Sequence, residues 1–299
     1  MKFFRPKEFF SPESLVDALQ LLEDYRRDAR VIAGGTGIYE LAVRNYIPEV
    51  KYLVSVMNLD LSYVKEEEGF LHIGATTRLQ QLLEDKLINT ADVGAITDAL
   101  RSIRPLQIRN VATVGGEVCI SVPNVDLPTA LMACSAQVVI ASVKGERVVA
   151  LDDFYNDIFW PKLKSNEIVT EIRFKKQKDM VSAFLKLGRT AADFNLVNVA
   201  TSLRVDNNLI TDIKLVVGGI GRSPLRFKDL EEALINKRPE RELIENVAVK
   251  AFHDYEILPS VHGSAEYKRL ILPVLIRNCV LKAYNRALGT NESEVPNRI

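Results

Sequence analysis

A short apolar run that ends in glycines and resumes with helical spacing is the feature that most limits how this chain can fold. Val31-Ile32-Ala33 reads as a buried strand, Gly34-Gly35-Thr36-Gly37 interrupts it, and apolar positions return at Ile38, Leu41 and Ala42. Glycine where a strand meets a helix permits φ values closed to other residues and leaves backbone N–H groups uncovered. Amides bared in this way at a helix start can hold an anionic phosphate. The same residues also suit a tight turn that binds nothing. Tyr52–Val56 reads as the next strand, after a break at Pro48, so the segment forms a strand–helix–strand unit.

The two common nucleotide fingerprints do not apply. Glu40 stands where G-x-G-x-x-G needs its third glycine, and no Gly-x-x-x-x-Gly-Lys-Ser/Thr is present. A second Gly-Gly lies in Thr113-Val114-Gly115-Gly116-Glu117, again beside a threonine. The two turns could clamp one pyrophosphate from both sides through charge-assisted hydrogen bonds. Asp126, just before Leu127-Pro128, suits a helix N-cap or an acceptor for a ribose hydroxyl, and the two roles are compatible.

Composition narrows the chemistry. At 299 residues there is room for about two domains, and 47% apolar with 26% charged residues suits a globular core. Lys+Arg and Asp+Glu balance at 39 each, so nothing steers the chain to nucleic acid or anionic membrane. No apolar run approaches the ~20 residues that span a bilayer, and Met1–Pro6 lacks a signal-peptide core, so a cytoplasmic location is expected. Cys119, Cys134 and Cys279 are far apart, which sets aside a disulfide framework, a zinc site and a four-cysteine cluster. His72, His253 and His262 show no metal-ligand spacing. Gly-x-Ser-x-Gly and His-Glu-x-x-His are missing too, so any reaction would fall to a bound cofactor.

Ser11-Pro12 should start a helix with a stripe of Leu15, Ala18, Leu19 and Leu22. Leu71 and Ile73 alternate with His72 and Gly74, which puts His72 on the solvent face of a strand. Thr77 suits the cap of a helix carrying Leu79, Leu82 and Leu83, and a second helix is expected near Val93–Ile103. Strands follow at Gln137–Val143, Arg147–Val149 and Ile168–Phe174. The charged run Lys175–Asp179 marks a domain boundary. Beyond it a strand at Ala183–Leu187 precedes a hairpin, Val197–Val205 with Leu209–Gly218 around Asn207-Asn208. Helices near Lys228–Ile235, Arg241–Phe252 and Ala265–Leu288 close the chain. Ser264 begins the last, with Tyr267, Leu270, Val274, Leu275 and Leu281 on its buried side.

Several of these stretches carry a family resemblance. Val31–Ile38, Thr113–Gly116 with Asp126 beyond, Lys186-Leu187-Gly188-Arg189 with Ala191-Ala192-Asp193, and His262–Arg269 together resemble the FAD-binding medium subunit of molybdenum hydroxylases. That family includes xanthine and carbon monoxide dehydrogenases, aldehyde oxidoreductases and 4-hydroxybenzoyl-CoA reductases. The resemblance implies an α+β fold: a two-subdomain, PCMH-type FAD-binding region over residues 1–176 (about 1–57 and 58–176), then a C-terminal domain of antiparallel sheet and helical bundle over 177–299. It implies FAD in this chain, with molybdopterin on a large partner subunit and [2Fe-2S] clusters on a small one. Electrons would pass from the iron–sulfur subunit through FAD to NAD or another acceptor. On the family pattern Val31, Ile32, Ala33, Gly34, Gly35, Thr36, Gly37 and Ile38, with Thr113, Val114, Gly115 and Gly116, lie on the FAD diphosphate. Asp126 and Lys186 fall at further flavin-contacting positions, while Arg189 and Asp193 are held as structural or interface residues.

Glu117 departs from the usual Thr-Ile-Gly-Gly-Asn. Repulsion from a pyrophosphate should turn its carboxylate away or onto something other than phosphate, with Glu117 still counted among the cofactor-binding residues. The Gly-Gly-Glu variant together with Ile73–Gln80 tilts the resemblance towards xanthine dehydrogenases. The cysteine-bearing insertion of hydroxybenzoyl-CoA reductases is missing.

Overall fold

The computed structural model describes residues 6–43, 46, 50–158 and 160–290. The expected break at Pro48 lies outside them. The chain divides into two compact units: Met1–Leu87, Pro105–Ser121 and Ala136–Phe174 form the first, and Ile88–Arg104, Val122–Ser135 and Lys175–Ile299 the second.

In the first unit, Ala29–Ile32 pairs in parallel with Tyr52–Ser55, and the helix Thr36–Val43 crosses between them. Glu8–Phe10 adds a third parallel strand on the other edge of Tyr52–Ser55. The helix Leu15–Tyr25 buries Ala18, Leu19 and Leu22 against Val54 and Val56. Its cap is Ser14 rather than Ser11. The Ser14 hydroxyl accepts from the Asp17 amide and donates to the Asp17 carboxylate, a reciprocal pair that outweighs the Ser-Pro signal three residues upstream.

A five-stranded sheet completes this unit, in the order Val64–Glu67, Phe70–Gly74, Ile168–Lys175, Gln137–Ser142, Gly145–Ala150. Two expectations fail here for one reason: polar side chains are claimed by partners distant in the chain. His72 does not face solvent alone. Its Nδ1 lies 2.9 Å from Glu171 Oε1, and the Tyr63 hydroxyl donates to Glu171 Oε2 at 2.8 Å. Burial, followed by that hydrogen bond, raises the Tyr63 phenol above its ordinary range. Thr77 does not cap the helix Leu79–Glu84; its hydroxyl accepts from the Tyr63 amide and donates to the Tyr63 carbonyl.

The second unit is built on a four-stranded antiparallel sheet, Val181–Leu187, Val197–Asp206, Leu209–Gly218 and Leu225–Arg226. Asn207 and Asn208 turn the central hairpin with φ of 48° and 64°, the left-handed region asparagine tolerates. On packing, the helices Gly94–Ser102 and Leu127–Ala133 belong to this unit too, interior to a region that chain order alone assigns to the first. At Gly94 a Cβ would lie 2.6 Å from the Ser182 carbonyl oxygen, so the first of these helices approaches Val181–Leu187 backbone to backbone.

The long helix Ala265–Ala287 is capped by Ser264 as expected, but its inner face differs. Tyr267 and Leu270 are 47% and 73% exposed, while Lys268 is buried beside Leu272, Leu275, Ile276, Cys279 and Val280. The Lys268 ammonium donates to the carbonyls of Gly219 (2.7 Å) and Leu258 (2.9 Å), and burial lowers its pKa. Two buried carbonyls thus select a lysine over a leucine for the inner face. Lys268→Met should cost about 2 kcal/mol of unfolding free energy by orphaning them, whereas Leu270→Ser should stay within about 0.5 kcal/mol. Urea titration followed by circular dichroism separates the two, and equal losses would mean the helix presents another face.

Candidate cofactor site

The first glycine turn sits at the start of Thr36–Val43. Helix geometry leaves the N–H groups of Gly35, Thr36, Gly37 and Ile38 outside the i→i−4 ladder, and the Tyr39 amide is the first to join it, on Gly35 O. Gly35 has φ +76°, open to glycine and strained for a side chain. Val31 and Ala33 pack against the Val54–Val56 cluster, and Ile38 packs on Leu41, Ala42 and Ile120. Ile32 and Gly34 are half-buried between these anchors.

The second turn is its neighbour. A Cβ on Gly34 would lie 1.9 Å from the Val111 carbonyl oxygen, and one on Gly37 would lie 2.7 Å from Ile120 Cδ1. Residues 34–37 therefore rest directly on the 111–120 segment. Thr113 caps the helix Val114–Cys119, its hydroxyl accepting from the Gly116 amide at 3.1 Å. Val114 N–H donates to Thr77 O, Gly115 N–H to Ala75 O, and Glu117 N–H to Thr113 O. The amides of Val114, Gly115, Gly116 and Glu117 are thus engaged inside the chain. Gly115 is buried, and a Cβ there would meet Ala75 O at 2.8 Å; Gly116 is exposed.

These residues fit a diphosphate group held chiefly at the start of Thr36–Val43. Bare amides and the positive end of the helix dipole supply the attraction. The second turn supplies a surface without side chains. Glu117 lies on the helix side near Tyr155, whose phenol is raised by burial first and then by Cys119 and Glu117.

Asp126 and Lys186 come together in the second unit. Lys186 Nζ donates to Asp126 Oδ2 at 2.7 Å, with side chains only 11% and 6% exposed. Asp126 precedes Leu127–Ala133 but makes no capping hydrogen bond. Its carboxylate instead accepts from Ser102 Oγ (2.9 Å), Asn195 Nδ2 (2.8 Å) and Asn198 Nδ2 (3.3 Å). Sequence reasoning passed over these three donors, and over the Ala75 and Thr77 carbonyls, because no local pattern links residues so far apart. Arg189, exposed, and Asp193, half-buried, form a pair 3.7 Å apart.

Among the described residues no group of three or more His, Cys, Asp or Glu side chains is placed to hold a metal ion. Cys119, Cys134 and Cys279 are free thiols, each pushed up to about 12 by burial.

The family described as the FAD binding domain in molybdopterin dehydrogenase matches residues 4–174, and the CO dehydrogenase flavoprotein C-terminal domain matches residues 182–283. The chain belongs to this family of FAD-binding dehydrogenase subunits. It is similar to the glyceraldehyde dehydrogenase medium chain of Sulfolobus acidocaldarius, with 31% identity over 90% of this chain and 96% of the relative. The xanthine dehydrogenase FAD-binding subunit of Escherichia coli O157:H7 is 28% identical, over 92% of this chain and 95% of that one. In fold the chain resembles a solved chain of carbon monoxide dehydrogenase from Hydrogenophaga pseudoflava, with a TM-score of 0.90 at 24% identity, covering 95% and 99% of the two. The protein is an oxidoreductase subunit with an FAD-binding domain and an α+β, two-part architecture.

Gly116→Val should weaken FAD binding about tenfold at a smaller cost in melting temperature than Gly115→Ala, because its side chain would project from an exposed position where its Cβ meets only the Thr113 hydroxyl, at 3.0 Å. Gly115→Ala should instead cost about 1–3 kcal/mol of stability, through overpacking on the Ala75 backbone. Flavin fluorescence titration and thermal melts of both variants distinguish binding surface from scaffold.

Proposed function

We propose that this subunit relays electrons from an iron–sulfur partner subunit, through FAD, to NAD or another acceptor, while a molybdopterin-bearing large subunit oxidises the substrate. The observation that carries the reading is the bare helix start at Gly35–Ile38, lying on a segment free of side chains at Gly116. The chemistry that FAD supplies when bound is redox exchange in single or paired electron steps. The chain's own residues bind and orient. The backbone N–H groups of Gly35–Ile38 meet the diphosphate, Gly34 and Gly37 let the turn lie flat on residues 111–120, and Val31, Ile32 and Ala33 fix the strand that delivers it. Thr113, Val114, Gly115 and Gly116 form the opposing wall. Glu117, whose charge is felt by the buried Tyr155 phenol, contacts something other than the phosphate. Asp126 and Lys186, a buried ion pair of the second unit, are further flavin-binding residues on the family pattern.

For the substrate of the whole complex we propose a xanthine-like purine, on the Gly115-Gly116-Glu117 variant and the Ile73–Gln80 stretch. A second reading, an aldehyde or another N-heterocycle, is favoured by the higher identity to a glyceraldehyde dehydrogenase medium chain (31%) and a nicotinate dehydrogenase FAD-subunit (32%), against 28% for the xanthine dehydrogenase subunit. Relatives named for carbon monoxide and nicotinate show the same architecture serving other substrates. The substrate is expected to be set on another chain.

The purified chain, incubated with FAD and desalted, should be yellow and release FAD on acid precipitation. Mixing it with the reduced iron–sulfur subunit should bleach the flavin's visible absorbance in a stopped-flow experiment. Protein that retains no FAD overturns the whole reading, and FAD that stays oxidised in the presence of that subunit overturns the relay. Substrate screening of the assembled complex decides among purine, aldehyde and another N-heterocycle.

A further inference from the structure

Four donors converge on the Asp126 carboxylate, and the two asparagines among them also hold the carbonyls of the residues just before it. Asn195 Nδ2 donates both to Asp126 Oδ1 (2.8 Å) and to the Asn124 carbonyl (2.7 Å). Asn198 Nδ2 donates both to Asp126 Oδ1 (3.3 Å) and to the Val125 carbonyl (3.0 Å). Just upstream, the Gly219 amide donates to the Pro123 carbonyl at 2.7 Å. Every residue from 123 to 126 is therefore gripped by groups at the ends of the sheet strands. Residues 121–126 have no regular secondary structure to shape them otherwise.

The grip is built to one geometry. Both asparagines have no exposed surface. Thr129 Oγ1 donates to Asn198 Oδ1 at 3.0 Å, which fixes that amide so that its nitrogen faces Asp126. A Cβ on Gly218 would lie 2.2 Å from Asn198 Oδ1, and one on Gly219 would lie 2.5 Å from the Leu196 carbonyl oxygen, so both glycines make room for the pair. Among the described residues Asn195 Oδ1 has no hydrogen-bond partner. Its amide is turned to serve Asn124 and Asp126 at the cost of a buried, unmatched acceptor. A residue serving stability alone would more readily be apolar here, since a half-satisfied buried amide is costly.

We propose that Asn195 and Asn198 are positioning residues that set the orientation of the Asp126 carboxylate, and through it the Lys186 ammonium, for binding FAD. The inference rests on the reading that Asp126 and Lys186 contact the flavin. Two acceptor oxygens with four donors leave the carboxylate a single rotamer. Lys186, held by Asp126 Oδ2 and at 3.4 Å by the Asp193 carbonyl, is thereby fixed as a cation of defined direction.

A double-mutant cycle on FAD affinity, in the full-length chain and well below each variant's melting temperature, tests this. N195A and N198A should each weaken FAD about tenfold in the native background. Each should have less than about a twofold effect in a D126N background, because the group they act through is already altered. If D126N does not purify folded, the same cycle runs on K186M, one hydrogen bond further along. A purely structural role would lower the melting temperature and leave the losses in FAD affinity equal in both backgrounds, which overturns the proposal; so would native FAD affinity in N195A and N198A. D126N and K186M variants that bind FAD as tightly as the native chain would overturn the premise as well. The asparagine effects persisting there would locate the fault in the Asp126–Lys186 reading rather than in FAD binding.

Discussion

The site in the first unit depends on one close approach of backbone to backbone. The Val111 carbonyl occupies the space that a side chain on residue 34 would need. That contact brings the start of Thr36–Val43 beside the helix Val114–Cys119, whose own amides are held by the carbonyls of Ala75 and Thr77. The result is a stack of three loops, 34–37 on 111–116 on 75–77, joined mostly through main-chain groups. Main-chain contacts are indifferent to side-chain chemistry except where a Cβ would intrude. Glycine is therefore required at 34 and 115 for packing, and at 35 for its φ of +76°. The two Gly-Gly pairs look alike in the chain but divide their work: one bares amides, the other permits the stack.

In the second unit a buried charge does the organising. A carboxylate and an ammonium at 6% and 11% side-chain exposure would be costly unless every remaining lone pair were satisfied. Ser102, Asn195 and Asn198 supply those hydrogen bonds, from a helix end, a loop and a strand. Lys268 shows the same logic without a counter-charge, its ammonium resting on two carbonyls. Sites with fixed dipoles and charges need little reorganisation when a charged cofactor arrives, which suits a subunit whose task is to bind and hold.

The departures from sequence expectation share a cause. Ser14, Thr77, His72 and Lys268 are polar residues whose local pattern permits several partners. Ser14 caps its helix in place of Ser11 because Ser14 with Asp17 forms the reciprocal cap. Thr77 and His72 were claimed by Tyr63 and Glu171, residues distant in the chain. On Ala265–Ala287 the apolar Leu270 faces out and the charged Lys268 faces in, because the carbonyls of Gly219 and Leu258 converge where Lys268 sits. Hydropathy periodicity assumes that burial follows polarity, and it fails where a buried polar group has partners waiting.

The sequence by itself determined the strand–glycine–helix unit at 29–43, the long hairpin turned by Asn207-Asn208, the closing helices, and the family whose motifs run the length of the chain. All of these rest on short-range signals: glycine and asparagine at turns, period-two and helical spacing, and motifs read in order. Only the tertiary structure decided that the two glycine turns touch, that the amides of the second are already engaged, and that Asp126 grips Lys186 instead of capping its own helix. Which donor meets which acceptor depends on distances between residues far apart in the chain. Those distances exist only once the sheets and helices have packed.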